Sequence, residues 1–460
     1  MRTKRITFGF LVLSLLACNF VNQMITPPTA TPQPTLTATA SLTPTPEPLR
    51  PAYIPPECAA VPLATVSPDV ALAQPALETQ TNPQISKNEQ LNVFNDITET
   101  VRDVYIYRDY NGKDWSKMQA RYKDKINAGL DTESFYLEMG FMIFELGDEH
   151  SFYLSPLEVE QSETELRGDN EVVGIGVLAE PDFDRGRIMV FSTFAGSVAE
   201  HGGIQPHDAI LLVDGLPIRV ETGNRLRGPE CSAVILTVQS PGEASRDVML
   251  IRQTFQGGLE IDARIVLTTD GSRIGYIFIP TFFDETIPPQ IVTALQGFGE
   301  LDGLILDVRL NGGGSSMVVD PIFAYFVSGR LGRFVSRDES HVLNVEADPI
   351  GNSQSVPLVV VVSEGTASYG EIFAGVLKDL GRAKITGETS LGNVEVLHGF
   401  NFDDGSQLWI AAATFRPENS DQDWEKTGII PDLPAFALWD TFTFETDPSI
   451  AAALTLLGHK

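Results

Sequence analysis

At 460 residues the chain has room for two to three domains, taking about 150 residues per domain as a guide. Its 43% hydrophobic and 20% charged content is that of an ordinary soluble composition. The formal charge of −29, from 61 acidic against 32 basic side chains, argues against nucleic acid and anionic membrane surfaces as partners, because both are bound through basic patches.

In sequence order, Arg2, Lys4 and Arg5 precede an apolar run from Phe8 to Leu16, followed by Ala17 and Cys18. This is a secretory leader, too short for a membrane span. Leu15-Leu16-Ala17-Cys18 resembles the bacterial lipobox. The resemblance implies a signal peptide over residues 1–17 and lipidation of Cys18. The mature protein would then be an extracytoplasmic, membrane-anchored lipoprotein, at the cell surface or in the periplasm. An ordinary leader with an incidental cysteine is the other reading. Residues 18–85 are expected to be a disordered linker, since the stretch from about Thr26 to Pro56 is dense in Thr and Pro and cannot bury a core. Of the three cysteines, Cys58 and Cys231 remain outside the leader. They either pair in an oxidising compartment or stay as two buried thiols.

Residues 86–165 read as an N-terminal helical domain. Leu91, Phe94, Ile97, Val101 and Val104 recur at three and four. Asp109-Tyr110-Asn111-Gly112 breaks the pattern and Trp115 resumes it. A further helix runs from Phe135 to Leu146 and ends at Gly147, followed by the segment LGDEHSFYLSP.

Residues 166–256 alternate short apolar runs with turn signals. Gly174-Ile175-Gly176-Val177, Arg187 to Phe191, Ala209 to Val213 and Val234 to Val238 read as strands. The stretch GSVAEHGGIQPHDAILLVDGLPI resembles the helix–turn–strand signature of a PDZ domain. Such domains bind extended peptides, often the C-terminal ends of polypeptides, by adding a strand to a sheet edge. By that resemblance Gly174, Ile175, Gly176 and Val177 match the carboxylate-binding loop. A β-rich spacer that binds nothing is the alternative.

From 257 to 460 strands and helices alternate, as in an α/β domain with a mixed sheet. Gly275 to Ile279, Leu304 to Val308, Val356 to Val362, Ala383 to Ile385 and Leu408 to Ala412 read as strands; Pro288 to Phe298 reads as a helix. The stretch Val359 to Leu380 organises the rest. An unbroken apolar run, typical of a strand buried on both faces, passes through a glycine-bearing turn into a helical pattern. Ser368 sits at that junction, beside the unpaired N–H groups and positive end of the helix, where an oxyanion would be stabilised. Ser368-x-x-Glu371 is equally a capping box that merely starts a helix. Asp307-x-Arg309-x-Asn311-Gly312-Gly313-Gly314 follows another apolar strand, and its glycines allow the backbone to approach a ligand closely. No HExxH and no Cys/His cluster occurs, so no metal or other cofactor is called for.

Together, DxRxNxGG, GxASxxEI after a Val-rich strand, ExxGIxPD, upstream helices ending in LGDxHS and the PDZ-like stretch resemble the C-terminal processing (tail-specific) and tricorn-type serine proteases, over about residues 86 to 435. The resemblance implies a multi-domain α/β architecture: the helical domain, a PDZ-like β-rich domain and a ClpP/crotonase-like α/β protease core. It implies Ser368 as nucleophile, with the N–H groups of Tyr369 and Gly313 as the oxyanion hole. One feature departs from the tail-specific branch. The lysine of its GKGxxQ segment is replaced by Asn393 in Gly392-Asn393-Val394-Glu395-Val396-Leu397, and asparagine cannot act as a base. The tricorn-type branch uses a histidine from the LGDxH segment and a glutamate from ExxGxxPD. These match His150 and Glu425, and an imidazole held by a carboxylate accepts a proton near neutral pH.

The expected function is therefore a secreted, lipid-anchored serine endopeptidase acting on polypeptides presented by their C-terminal ends. The alternative is a catalytically inactive peptide-binding protein of the same fold, which the loss of the lysine motivates. A carbohydrate or small-molecule hydrolase finds no matched carboxylate pair.

Overall fold

The periodicity after Ser86 is realised in the computed structural model, which describes residues 49–60, 81–148, 150–166, 172–219, 225–255 and 260–459. The leader over 1–17, the Cys18 lipidation point and most of the Thr/Pro-rich stretch lie outside the described residues. The described residues fall into two compact units, one drawn from 81–172 and 260–459, the other from 49–60 and 173–255. No helix among them is long and apolar enough to cross a membrane.

The larger unit opens with α1 (Lys87–Val104), started by a reciprocal capping box between Ser86 and Glu89. Of the expected stripe Phe94, Ile97 and Val101 are buried, joined by Val93, while Leu91 and Val104 are half-buried. The break falls where expected: Tyr110, Asn111 and Gly112 all take positive φ. Asp114 and Asp131 cap α2 (Trp115–Ala128) and α3 (Thr132–Phe144), then come β1 (Phe152–Leu154) and α4 (Pro156–Leu166). The helical segment shares its core with the later half of the sequence, because Ile97, Met139 and Ile143 cluster with Leu408, Ile410 and Ala411.

The main sheet of the smaller unit is antiparallel. β2 (Val172–Gly174), β3 (Val177–Asp182) and β4 (Arg187–Thr193) lead to the short α5 (Val198–His201). Then follow β5 (Ala209–Val213), β6 (Leu216–Pro217), β7 (Ala233–Gln239), β8 (Arg246–Ile251) and β9 (Gln253–Phe255). The sheet order is β3-β4-β5-β7-β8, with β6 on β5, and β2 pairs separately with β9. Gly174 to Val177 is not one strand, as its apolar character suggested. Ile175 and Gly176 connect β2 to β3 outside either strand. Gly176 has φ +76°, and a Cβ there would lie 2.6 Å from the Phe255 ring. Residues 49–60 also depart from the expected structureless linker. Cys58 is buried and disulfide-bonded to Cys231, with Cα atoms 5.2 Å apart, and Tyr53 stacks on His201 with ring centroids 4.1 Å apart.

The rest of the larger unit holds two sheets. The main one runs through β10 (Ala263–Leu267), β11 (Arg273–Phe278), β12 (Gly303–Asp307), β15 (Leu358–Val362), β16 (Ala383–Gly387) and β19 (Leu433–Pro434), in that spatial order. All of its pairings are parallel except β10 on β11. β12 and β15 are buried along their whole length. Leu358, Val360 and Val362 point into a core with α6 (Ile287–Phe298), α7 (Ser316–Phe326) and α8 (Tyr369–Asp379), whereas Val359 and Val361 face α10 (Pro448–Leu457). The strand's alternation thus serves two layers, and each buried branched side chain contributes about 1.5–3 kcal/mol. The second sheet is antiparallel, ordered β1-β18-β13-β14, with β17 also on β18. Its strands are β13 (Gly329–Ser336), β14 (Ser340–Val345), β17 (Glu395–Asn401) and β18 (Gln407–Pro417).

Candidate active site

β12 and β15 are parallel neighbours, so the loops that leave their C-terminal ends must meet, and in such sheets that end is where sites form. The Ala367 N–H donates to the Asn311 carbonyl at 3.0 Å, and the Thr366 hydroxyl donates to the Val308 carbonyl at 2.8 Å. A Cβ on Gly370 would run into the Asn311 carbonyl, so the first turn of α8 has to be glycine there.

Ser368 stands at the head of α8 with φ 52° and ψ −124°. For a residue with a side chain that is a strained conformation, held by its surroundings, and such outliers concentrate at functional sites. The capping-box alternative does not hold. Ser368 makes no side-chain cap, and Glu371 turns away from the helix start. Its carboxylate accepts from Ser390 Oγ at 2.5 Å, Gly392 N at 2.8 Å and Asn393 N at 2.6 Å. Burial pushes the Glu371 carboxyl above its ordinary pKa, and these donors pull against that.

Gly313 lies directly beside the serine. A Cβ on it would be 2.7 Å from Ser368 Cβ, 3.0 Å from Oγ and 3.1 Å from the Tyr369 nitrogen. Its φ of +103° also excludes most side chains. In this state the Gly313 N–H donates to Asn311 Oδ1 at 2.9 Å, while Asn311 Nδ2 donates to the Ile279 carbonyl at 3.1 Å.

His150 comes from the turn after α3. Asp148 Oδ1 accepts from the backbone N–H of His150 at 3.0 Å and of Ser151 at 2.8 Å. Ser151 Oγ donates to Asp148 Oδ2 at 2.5 Å and accepts from the Ala411 N–H at 3.0 Å, which docks the turn on β18. The His150 side chain is 6% exposed. Nε2 lies 2.7 Å from Glu425 Oε1, and Nδ1 is buried without a hydrogen-bond partner. Burial works against a charged ring. The hydrogen bond and charge of Glu425, with Glu395 and Asp148 behind, outweigh it and raise the His150 pKa above its ordinary value.

Glu425 sits on α9 (Trp424–Thr427), and its Oε2 accepts from the Val394 N–H at 2.8 Å. One residue earlier, the Asn393 carbonyl accepts from the Ser368 N–H at 2.6 Å. The 390–394 loop therefore joins the serine's backbone to the carboxylate that holds the histidine. Asn393, in the place of the tail-specific lysine, contributes here through its backbone. Lys378 is paired with Asp432 at 3.4 Å, and Lys384 is exposed on β16.

Two further buried carboxylates lie around these residues. Glu371 belongs to the GxASxxEI motif, but the sequence shows it only as a capping residue. Glu395 is 4% exposed, its Oε2 stands 3.9 Å from His150 Nε2, and Tyr107 donates a short hydrogen bond to its Oε1. Burial, then the Glu425 charge, push its carboxyl up to about 8. Nothing in its local sequence marks it. In the smaller unit, Ile175 is in the core. The Ile175 and Gly176 carbonyls accept from the Ala199 and Phe194 N–H groups, both at 3.0 Å.

Comparison with known proteins assigns the family. Residues 273–435 match the model of peptidase family S41, and residues 86–140 match the tricorn protease C1 domain. The carboxyl-terminal-processing protease of Synechocystis sp. is 29% identical over 374 residues, covering 78% of this chain and 84% of that protein. The probable CtpA-like serine protease of Staphylococcus aureus is 31% identical over 343 residues, covering 69% and 66%. Among solved structures, the photosystem II D1 C-terminal processing protease aligns with a TM-score of 0.55 at 24% identity, over 76% of this chain and 93% of that one. A serine-to-alanine mutant of CPAF aligns with a TM-score of 0.52 at 14% identity, over 81% and 98%. Both likenesses concern the fold. The family match on the main sheet and its loops, the helical match and the curated relatives agree: the chain belongs to peptidase family S41 and is a serine-type peptidase related to the carboxyl-terminal-processing proteases.

Proposed function

We propose that the protein is a secreted, lipid-anchored endopeptidase that cleaves polypeptides with Ser368 as nucleophile, His150 as base and Glu425 as the carboxylate that orients it. One observation carries this reading. The strained serine and the His150–Glu425 pair are tied to successive residues of one loop, Asn393 and Val394. With its Nε2–H donated to Glu425, the ring has Nδ1 as its acceptor. Ser368 Oγ attacks the scissile carbonyl carbon as its proton passes to His150 Nδ1. The tetrahedral oxyanion is met by the Tyr369 N–H at the head of α8, where the helix dipole also favours negative charge. The Gly313 N–H joins it on exchanging Asn311 for the substrate oxygen. His150 returns the proton to the leaving amine, and water hydrolyses the acyl-enzyme by the same steps reversed.

The smaller unit serves in this proposal as a PDZ module over residues 166–256 that holds polypeptide C-termini. β3 supports that assignment: it is an edge strand of its sheet, it directly follows the Ile175–Gly176 connection, and an edge can accept an added peptide strand. The leader and Cys18 would anchor the molecule outside the cytoplasm, with the Thr/Pro-rich stretch as stalk.

The test compares the protein with its Ser368→Ala variant on an unfolded protein substrate and with a fluorophosphonate label. Cleavage and labelling that both vanish in the variant are expected; equal cleavage by the two removes Ser368 from the mechanism. The second reading, a non-catalytic peptide-binding protein, is favoured by the engagement of the Gly313 N–H with Asn311. It predicts no labelling of Ser368 at all.

A further inference from the structure

The His150–Glu425 pair has a third neighbour that the proposed proton transfers do not use. His150 Nε2, a Glu425 oxygen and a Glu395 oxygen all lie within 4.8 Å of one another. Glu395 has a fully buried side chain, and its Oε2 has no hydrogen-bond partner. Its other oxygen is held by Tyr107, so the carboxylate cannot swing away to find a donor. A buried carboxylate oxygen left unpaired is costly, and the second carboxylate, Glu425, increases the cost. Asp148 and Glu371, which act electrostatically on members of this cluster, are also acidic. A cation at the centre would satisfy every one of these groups.

The chemistry of the donors selects the ion. One imidazole nitrogen and two carboxylate oxygens, with a fourth position for water, suit zinc. Calcium and magnesium call for about six or more oxygens. With bonds of about 2.0–2.1 Å, neighbouring tetrahedral ligands stand roughly 3.3 Å apart. The present separations bracket that value, at 2.7 Å to Glu425 and 3.9 Å to Glu395, so each shifts by about 0.6 Å.

We propose that His150, Glu395 and Glu425 form a zinc site whose occupation holds the peptidase inactive. The metal takes the Nε2 lone pair of the neutral ring. The ring's one remaining proton then resides on Nδ1, and any proton on Glu395 is released to solvent. His150 Nδ1 can no longer accept from Ser368, and Glu425 is withdrawn from its role. The inhibitory consequence rests on the mechanism proposed above, whereas the binding does not.

The experiment uses the untagged full-length protein, stripped with a chelator, in its Ser368→Ala form. It is titrated with zinc against a fluorescent zinc indicator, and separately with cobalt(II) to read tetrahedral absorption bands. One equivalent with a micromolar or tighter Kd is expected, weakened at least about 100-fold in Glu395→Gln and in Glu425→Gln, with circular dichroism confirming that each variant folds. Zinc should also inhibit the wild-type peptidase with the same midpoint, reversibly on chelation, and Glu395→Gln should need about 100-fold more zinc to lose half of its own zinc-free rate. Absence of stoichiometric binding, or binding unchanged in both glutamate variants, overturns the site. Zinc binding without peptidase activity in the wild type leaves the site standing and overturns the mechanism instead.

Discussion

Glu371 shows how far one residue's role can be misread from its spacing. Three residues after Ser368 it has the position of a capping partner, yet it collects three donors from the 390–393 loop. That loop presents the Asn393 carbonyl to the Ser368 N–H and the Val394 N–H to Glu425. Removing the carboxylate leaves buried donors unpaired, at about 1–3 kcal/mol each. Glu371→Ala is therefore expected to destabilise the protein by about 3–5 kcal/mol in denaturant titrations, allowing for relaxation of the loop. Fluorophosphonate labelling of Ser368 should fall with it under conditions where the variant is still folded. Full labelling would mean that the serine's strained φ is held by the glycines alone.

At the scale of elements, α7 carries a titration that can be read in stability. Asp320 is half-buried with Oδ1 unpartnered, and burial pushes its carboxyl up to about 6. The folded state then binds the proton more tightly than the unfolded state, whose value is the ordinary one near 3.8. Stability from this group is present at acid pH and is lost as pH rises towards and through about 6. Asp320→Asn should unfold at a higher temperature than wild type at pH 8, with the gap closing below about pH 4. A constant gap across that range would assign the effect to packing. Elements of this kind also explain what the sequence concealed. α1, β5, β12 and β15 were legible because a single face, or both faces, of each is apolar with the right period. β13, β14 and β17 were not, because GRLGRFVS, SHVLNV and EVLHGFN mix exposed and buried positions without clean alternation. β17 carries Glu395, so the residue that completes the cluster around His150 was hidden with its strand. Ser368, Gly313, His150 and Glu425 were named through the motifs that resemble the tail-specific and tricorn-type proteases, but only the fold brings positions 275 residues apart, His150 and Glu425, within 2.7 Å.

At the scale of the molecule, the smaller unit is stapled by Cys58–Cys231 across a sequence separation of 173. Closing a loop of that length restricts the unfolded state by up to about 5 kcal/mol. Reductant should expose the smaller unit to proteolysis first, read by mass spectrometry; unchanged fragments would show that its core is sufficient. The larger unit has its own fastening. Arg309, two residues before Asn311, is 6% exposed and pairs with both Asp307 and Asp447 at 2.6 Å. Its guanidinium also lies 5.1 Å from the Trp439 ring centroid and 5.7 Å from that of Phe442. Tyr276 donates to Asp307 at 2.9 Å, and Asp447 caps α10 by accepting from the Ser449 N–H at 2.8 Å. One buried cation thus binds the strand that leads to Gly313, the aromatic segment before α10 and α10 itself. Removing Asp447 leaves Arg309 paired with Asp307 alone and takes the cap from α10, a loss of about 1–3 kcal/mol. Asp447→Ala should lose that much stability and should lower Ser368 labelling, because the loop after Arg309 loses its anchor. Loss of stability with labelling intact would confine Arg309 to holding the C-terminal helix in place.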